Sequence, residues 1–289
     1  MTDPVTVRRA LAQSGLVPID AQVLLAHLLG RNRAWLAAHG EDPVPPMEAQ
    51  AFFALARRRR EGEPVAYLTG IREFWGLPLA VCAAVLIPRP ETEAVVEIAL
   101  ARLPEDSGTR VLDLGTGSGA IALAIAHDRP RAQLLATDVS AAALAVARDN
   151  AERLGLANVA FLQSDWYAEV PAPWRGGRFD VVASNPPYIV AGDPHLAAGD
   201  LRHEPAGALS PGRDGLAAFR QIVAGARECL VPGGTLVVEH GFDQAQAVRA
   251  LFAAAGFTDV LAKRDLAGIP RVVAGRAPAS PGASYPDAP

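Results

Sequence analysis

From Arg110 onward the chain alternates short apolar runs with longer amphipathic ones, and this pattern leaves few architectures open. Val111 to Leu114, Leu134 to Thr137, Val159 to Leu162, Phe179 to Ala183 and Thr235 to Glu239 have the length and apolarity of buried strands. Between them, Ala120 to His127, Ala141 to Leu154, Leu216 to Leu230 and Gln244 to Ala255 carry helical spacing. Strand–helix–strand units return in parallel. The pattern therefore predicts an α/β fold, a mostly parallel sheet with helices on both faces. Thr258 to Leu261 and Arg271 to Ala274 follow one another without a helix, which predicts an antiparallel pair at the end.

Residues 1–75 read as a separate helical bundle. Val7, Leu11, Leu16, Ile19, Leu24, Leu25 and Leu28 recur at helical spacing, with a break at Gly15 and Pro18. Asp20 is expected to cap a helix ending at Gly30. A short helix from Arg33 to Ala38 and a longer one from Met47 to Arg60 follow, separated by Pro43 to Pro46. Residues 76–90 are expected to be a linker in which Leu79 to Val81 pairs with Val85 to Ile87 as a hairpin. Pro88-Arg89-Pro90 stiffens its end. A second domain, 91–277, opens with a helix from Glu91 to Leu103. Residues 278–289 are rich in Pro, Ala and Ser and are expected to be disordered.

Bulk composition narrows the function classes. A formal net charge of -4 does not suit a surface that coats nucleic acid, so no stable nucleic-acid binding is expected. No apolar run reaches the roughly 20 residues needed to span a bilayer. Met1 to Arg9 is polar, without the apolar core of a secretory signal. Cys82 and Cys229 are too few and too far apart for a disulfide framework. His195, His203 and His240 lack ligand spacing, so no metal is expected. A cytoplasmic monomer is the expectation.

Asp113-Leu114-Gly115-Thr116-Gly117-Ser118-Gly119 lies where the first of these strands turns into a helix. Its glycines let the backbone approach a ligand closely. The GxGxG spacing is shorter than a dinucleotide fingerprint, and Asp113 suits a ligand with a cationic end, such as the ammonium of a methionine moiety. Asp138 ends the next strand, where a carboxylate can accept from both hydroxyls of a ribose. Asp165-Trp166 follows the third strand, offering an acceptor for an adenine amine and a flat apolar wall. Singly, each has a bland reading: a tight turn, an N-cap at Asp138, a core residue at Trp166. Together they meet at the carboxyl edge of the sheet, where open α/β sheets bind ligands, and they point to S-adenosylmethionine.

Asn185-Pro186-Pro187-Tyr188 ends the fourth strand and would face the donor methyl. A carboxamide nitrogen is a poor nucleophile because its lone pair is delocalised into the carbonyl. The Asn185 side-chain oxygen and the Pro186 carbonyl can take both of its N–H donors and aim the lone pair. Pro186 and Pro187 keep those acceptors from reorganising, and Tyr188 can stack on the planar group. The bland alternative is a strand-end turn with a structural tyrosine.

With these motifs the chain resembles the bacterial release-factor glutamine methyltransferases, the HemK/PrmC family, over residues 20–276. The resemblance is carried by Tyr67 to Gly70, Arg72 to Trp75, Ile87-Pro88-Arg89-Pro90-Glu91-Thr92-Glu93, Asp113 to Ala120, Gln163 to Trp166 and Asn185 to Tyr188. Asp193 to Leu196, Glu204-Pro205 and Gly233-Gly234 through Gly241 extend it. It implies a class I S-adenosylmethionine-dependent methyltransferase, Rossmann-like, with a twisted mixed sheet of about seven strands behind the helical bundle. It implies S-adenosylmethionine on Gly115, Thr116, Gly117, Ser118, Gly119, Asp138, Trp166 and Asn185. The substrate it implies is the glutamine of the Gly-Gly-Gln motif of class I peptide chain release factors, held by Asn185, Pro186, Pro187 and Tyr188. It also implies that the bundle helps dock the release factor.

Three further features have two readings each. Arg89, Glu91 and Glu93 are either solvated linker charges or a lining of the cofactor entrance. The basic run Arg57 to Arg60 is either solvated at the negative end of a helix or a contact for an acidic partner. The segment Ala191 to Asp214 is long enough to be a mobile flap over the acceptor. Rival functions are glutamine methylation of a ribosomal protein, adenine methylation in DNA or RNA, and a non-catalytic S-adenosylmethionine sensor.

Overall fold

The computed structural model describes residues 4–105, 108–172, 174, 178–212, 214–265 and 267–278. Apart from Pro278, the tail expected to be disordered lies outside the described residues.

The chain begins with helices α1 (Val7–Gln13), α2 (Pro18–Leu29), α3 (Arg33–Ala38), α4 (Pro46–Arg60) and α5 (Val65–Thr69). Thr6 and Asn32 cap α1 and α3 by accepting from the amides of Arg9 and Trp35. Leu24, Leu25, Leu36 and Phe52 are buried where the helices meet. Each such side chain contributes about 1.5–3 kcal/mol by leaving water. Asp20 does not cap α2, contrary to expectation. Pro18 supplies a helical φ and starts the helix two residues earlier, with Val17 at the cap position. Asp20 instead accepts from Arg59 Nε at 2.7 Å and ties α2 to α4.

The hairpin also differs from the expected one. It pairs β1 (Ile71–Phe74) with β2 (Leu77–Ala80), and its turn is Trp75-Gly76, with φ of 55° and 71°. Both turn residues are left-handed, the geometry that matches strand twist. The stretch from Glu73 to Pro78 reads as turn-like in the sequence, and the turn falls there; what differs is which strands it joins. The Trp75 backbone amide donates to Glu93 Oε1 (3.1 Å) and its indole to Asp128 Oδ2 (2.9 Å), which offsets the strain. Val85 to Ile87 is irregular but its Val85 and Ile87 side chains are buried, so apolarity there reports packing rather than a strand.

A short 3-10 turn (Pro90–Thr92) leads into α6 (Glu93–Leu100). The alternating region then forms one seven-stranded sheet. Its strands are β3 (Arg110–Leu114), β4 (Gln133–Asp138), β5 (Val159–Gln163), β6 (Phe179–Ser184), β7 (Leu230–Glu239), β8 (Thr258–Arg264) and β9 (Pro270–Arg276). Their order is β5-β4-β3-β6-β7-β9-β8, and the β7–β9 and β8–β9 pairs are antiparallel. Alternation along β3 sends Val111 to a core layer shared with α6 and α7 (Ala120–Asp128). It sends Leu112 and Leu114 to the opposite layer, shared with the helices Ala217–Cys229 and Ala245–Ala254.

Chain order reverses between β3 and β6, and a crevice opens there at the carboxyl ends of the strands. Register sets what meets in it. Leu114 pairs with both Thr137 and Ser184, so the loops beginning at Gly115, Asp138 and Asn185 start side by side. Asp138 pairs in turn with Gln163, which brings Asp165 and Trp166 to the same edge.

Candidate active site

The crevice holds a cavity of about 240 Å³ lined by Gly115, Thr116, Gly117, Ser118, Asp138, Asp165, Trp166 and Asn185, with Thr92 and Pro187 among its other walls. Most of the expected cofactor residues therefore converge. A second cavity of about 50 Å³ adjoins it, lined by Arg89, Pro186, Tyr188 and Leu201. Asn185 borders both.

The glycine loop owes its shape to two positions. Gly117 has φ 57° and open space where a Cβ would stand, so its backbone faces the cavity bare. Gly119 has φ 88°, and a Cβ there would lie 2.9 Å from the Leu123 side chain and 3.3 Å from that of Ala147, so any larger residue would strain both the backbone and this close packing. Asp138 steadies the same loop. Its Oδ2 accepts from the Gly117 amide and its Oδ1 from the Ser140 amide, both at 2.9 Å. The N-cap of the next helix, α8 (Ala141–Leu154), is Ser140, so the bland reading of Asp138 as a cap does not hold. A carboxylate offers about four acceptor positions, so Asp138 keeps two for ribose hydroxyls. Trp166 adopts φ 50° and packs against the second core while walling the cavity.

Asp113 is placed otherwise than expected. It is not among the cavity's lining residues; strand alternation turns it inward under the loop. Its Oδ2 accepts from Thr116 Oγ1 (2.6 Å) and from the Ala122 amide (3.2 Å), satisfying a free donor at the start of α7. Oδ1 is buried with no hydrogen-bond partner among the described residues. Burial pushes its carboxyl up to about 7 against those hydrogen bonds. Asp113 thus shapes the loop from beneath rather than meeting an ammonium directly.

The acceptor motif is held by groups to which sequence reasoning assigns no role. Asn185 Nδ2 donates to Thr92 Oγ1 at 3.1 Å, and Thr92 Oγ1 donates to Glu239 Oε2 at 2.5 Å. Tyr188 donates from its hydroxyl to Glu239 Oε1 at 3.2 Å. Thr92 and Glu239 are 4% and 2% exposed, so this chain of bonds is shielded from water. Both residues lie inside motifs that carry the family resemblance, the one signal that points to them. Glu239 ends β7, beside the ends of β6 and β9. Burial is the main cause that raises its carboxyl to about 7, and nearby Glu91 adds to it. Burial and Glu239 also raise the Tyr188 phenol.

The segment bordering the smaller cavity is built of short helical turns at Pro194–Ala197, Leu201–His203 and Ala206–Leu209. It is tied at three places. Asp200 accepts from Arg59 at 2.7 Å, Arg202 donates to the Glu61 carbonyl at 2.6 Å, and Glu204 pairs with Arg89. Arg89 is therefore a half-buried, ion-paired side chain that lines the smaller cavity rather than the larger one. The basic run is engaged too: Arg58 binds Glu63, Arg59 binds Asp20 and Asp200, and Arg60 binds the Ser14 carbonyl. Among the described residues no cluster of ligand side chains could hold a metal. No helix among them is long and apolar enough to cross a membrane.

The Glu204 carboxylate has no exposed side-chain surface and also accepts from the Ile87 amide at 3.1 Å. Glu204→Ala would strand that amide and the half-buried Arg89. We expect chemical denaturation to register a loss of about 2–4 kcal/mol, scaled down from a fully buried pair because Arg89 reaches solvent. A loss below about 1 kcal/mol would show that Arg89 finds water as readily.

Residues 6–70 match a family model described as the PrmC N-terminal domain, and residues 105–260 match one described as a methyltransferase domain. A release factor glutamine methyltransferase of Bordetella pertussis is 54% identical over 265 residues, covering 92% of this chain and 97% of that protein. One from Escherichia coli is 48% identical over 257 residues, covering 89% and 91%. Among solved structures, a methyltransferase from Pyrococcus furiosus aligns with a TM-score of 0.52 at 18% identity, over 77% of this chain and 97% of that one. That last likeness is one of fold.

Proposed function

The chain belongs to the release factor glutamine methyltransferase family, and on that footing we propose that its two adjoining cavities receive donor and acceptor, with Asn185 at their junction. The activity is methylation of a glutamine side chain in a release factor, with S-adenosylmethionine as donor. The larger cavity suits that donor: a bare glycine backbone, a carboxylate with free acceptor positions and an indole wall. When bound, S-adenosylmethionine supplies an electrophilic methyl on a cationic sulfur, so the chain need only position the nucleophile.

In this reading the glutamine enters past Arg89, Pro186 and Tyr188. Asn185 Oδ1 and the Pro186 carbonyl accept its two N–H bonds, which turns the nitrogen lone pair towards the larger cavity. Tyr188 is held at both ends, by Glu239 at its hydroxyl and by Gln244 Nε2 at its carbonyl (3.0 Å), so its ring can flank the amide without reorganising. Asp165 and Trp166 take the adenine and Asp138 the ribose. As the N–CH3 bond forms, the methyl–sulfur bond would break with its electron pair neutralising the sulfur, and one N–H proton would pass to solvent water, leaving the methylated amide neutral. Proximity and preorganisation supply most of the acceleration. The observation that carries the reading is that Asn185 is the one member of its motif to line both cavities with its amide already anchored.

We take the substrate glutamine to be that of the Gly-Gly-Gln motif, and the helical bundle, residues 1–75, to assist docking. The catalytic domain would run from 91 to 277, in a cytoplasmic monomer. Incubation with methyl-labelled S-adenosylmethionine and unmodified class I release factor should label that glutamine, read by mass spectrometry of the tryptic peptides. Label on a ribosomal protein or on adenine instead, or none from folded, donor-bound protein, would overturn the assignment.

A further inference from the structure

A carboxamide presents oxygen and nitrogen on nearly identical arms, so shape alone does not decide which of them Asn185 turns towards a substrate. Only an oxygen facing the substrate can accept from a glutamine NH2. The choice must come from what binds the other arm.

That other arm meets Thr92 Oγ1, and the direction of this bond is set one step further on. An ionised carboxylate only accepts. Glu239 therefore commits the single Thr92 hydrogen to its Oε2, which leaves Thr92 lone pairs facing Asn185. Asn185 must answer with Nδ2, and Oδ1 is left for the cavity. The second Glu239 oxygen fixes the Tyr188 hydroxyl in the same way. Thr92 comes from the turn before α6, Asn185 and Tyr188 from the end of β6, and Glu239 from the end of β7. One buried charge thus polarises two arms of the acceptor grip.

We propose that Thr92 and Glu239 are positioning residues for methyl transfer, which hold the Asn185 carboxamide with its oxygen towards the substrate glutamine. This rests on the reading of Asn185 given above. The groups that act on Glu239 are Thr92 and Tyr188, which donate to it, Glu91, which opposes its charge, and Arg271, which favours it; His240 follows it in the chain. Burial places its titration near 7. Protonation would give Glu239 a hydrogen of its own to donate to Thr92, freeing the Thr92 hydrogen to point at Asn185. The amide would then turn its NH2 to the substrate, donor against donor. Activity is present above that titration and is lost as pH falls through it.

The test compares wild type with Thr92→Val, which keeps shape without the hydroxyl, Thr92→Ser, which keeps the hydroxyl, and Glu239→Gln. For each, kcat on release factor is measured from pH 6 to 8.5, with the donor Kd by calorimetry. Thr92→Val should lower kcat about 10- to 100-fold, the effect of losing one orienting bond at a reacting group. Thr92→Ser should stay within about threefold, and the donor Kd should hold in both. The wild-type decline below about pH 7 should shrink in Thr92→Val and in Glu239→Gln, which leave in place only what Asp113, whose carboxyl is raised to the same range, contributes. Wild-type kcat in Thr92→Val, an equal fall in Thr92→Ser, or an unchanged pH profile in Glu239→Gln would each overturn the proposal. Should Thr92→Val not fold, the Thr92→Ser and Glu239→Gln results decide. Failure of wild type itself to methylate the release factor would instead defeat the reading on which the proposal rests.

Discussion

Asn185→Ala should bind S-adenosylmethionine within a few-fold of wild type and yet lose about 10²–10³ in kcat, the range for removing one preorganised polar group at the reacting atoms. Asn185 borders the donor cavity, but the strong polar features of that cavity are the loop backbone, Asp138 and Asp165. Its distinctive position is the junction with the smaller cavity, where its Nδ2 is already bound to Thr92 and its oxygen is free. Alanine removes an acceptor for the glutamine N–H and leaves space in which the amide can rotate. Single-turnover methylation with saturating donor isolates that step from binding. A variant with full kcat would mean that the grip lies elsewhere, and a variant that fails to bind donor would move Asn185 into the cofactor site.

Asp138→Asn should have its main effect on the donor instead. The carboxylate accepts from Gly117 and Ser140 amides with one oxygen each. An asparagine must turn an NH2 towards one of these amides, so a donor meets a donor and the bare glycine loop shifts. It also withdraws one acceptor from the ribose. Two charge-assisted bonds of about 1.5 kcal/mol each correspond to a roughly 100-fold weaker Kd. Calorimetric titration with S-adenosylmethionine measures it directly. A Kd within about threefold would leave Asp138 as a loop brace with no hold on the ligand.

The α/β core was legible because its signal is local. Apolar runs of strand length alternating with helical spacing were enough to place β3 to β9 and the helices between them. The sequence boundaries for α8 coincide with those observed, Ala141–Leu154. The glycine loop, Asp138, Asp165, Trp166 and Asn185 could be brought together on paper because a parallel sheet puts successive strand ends at one edge. Errors came where a local rule had a competitor. Pro18 displaced Asp20 from the cap of α2, and the strand expected at Val85 to Ile87 is an irregular buried segment, because Leu77–Ala80 pairs back onto Ile71–Phe74. Asp113 was assigned to the ligand by its place before the loop, while the pleat of β3 turns it into the interior.

The identity and order of elements, the donor loop and the Asn185-Pro186-Pro187-Tyr188 strand end could be read from residue order, since each depends on neighbours within a few positions. The bond from Thr92 to Glu239 spans 147 residues, that from Asn185 to Thr92 spans 93 and that from Arg59 to Asp200 spans 141. No local pattern encodes such pairings. They exist because packed helices and strand register bring distant side chains into one buried space, where an unpartnered polar group is too costly to leave. In this protein the Asn185-Pro186-Pro187-Tyr188 motif belongs to the sequence, and the direction in which Asn185 points belongs to the folded core.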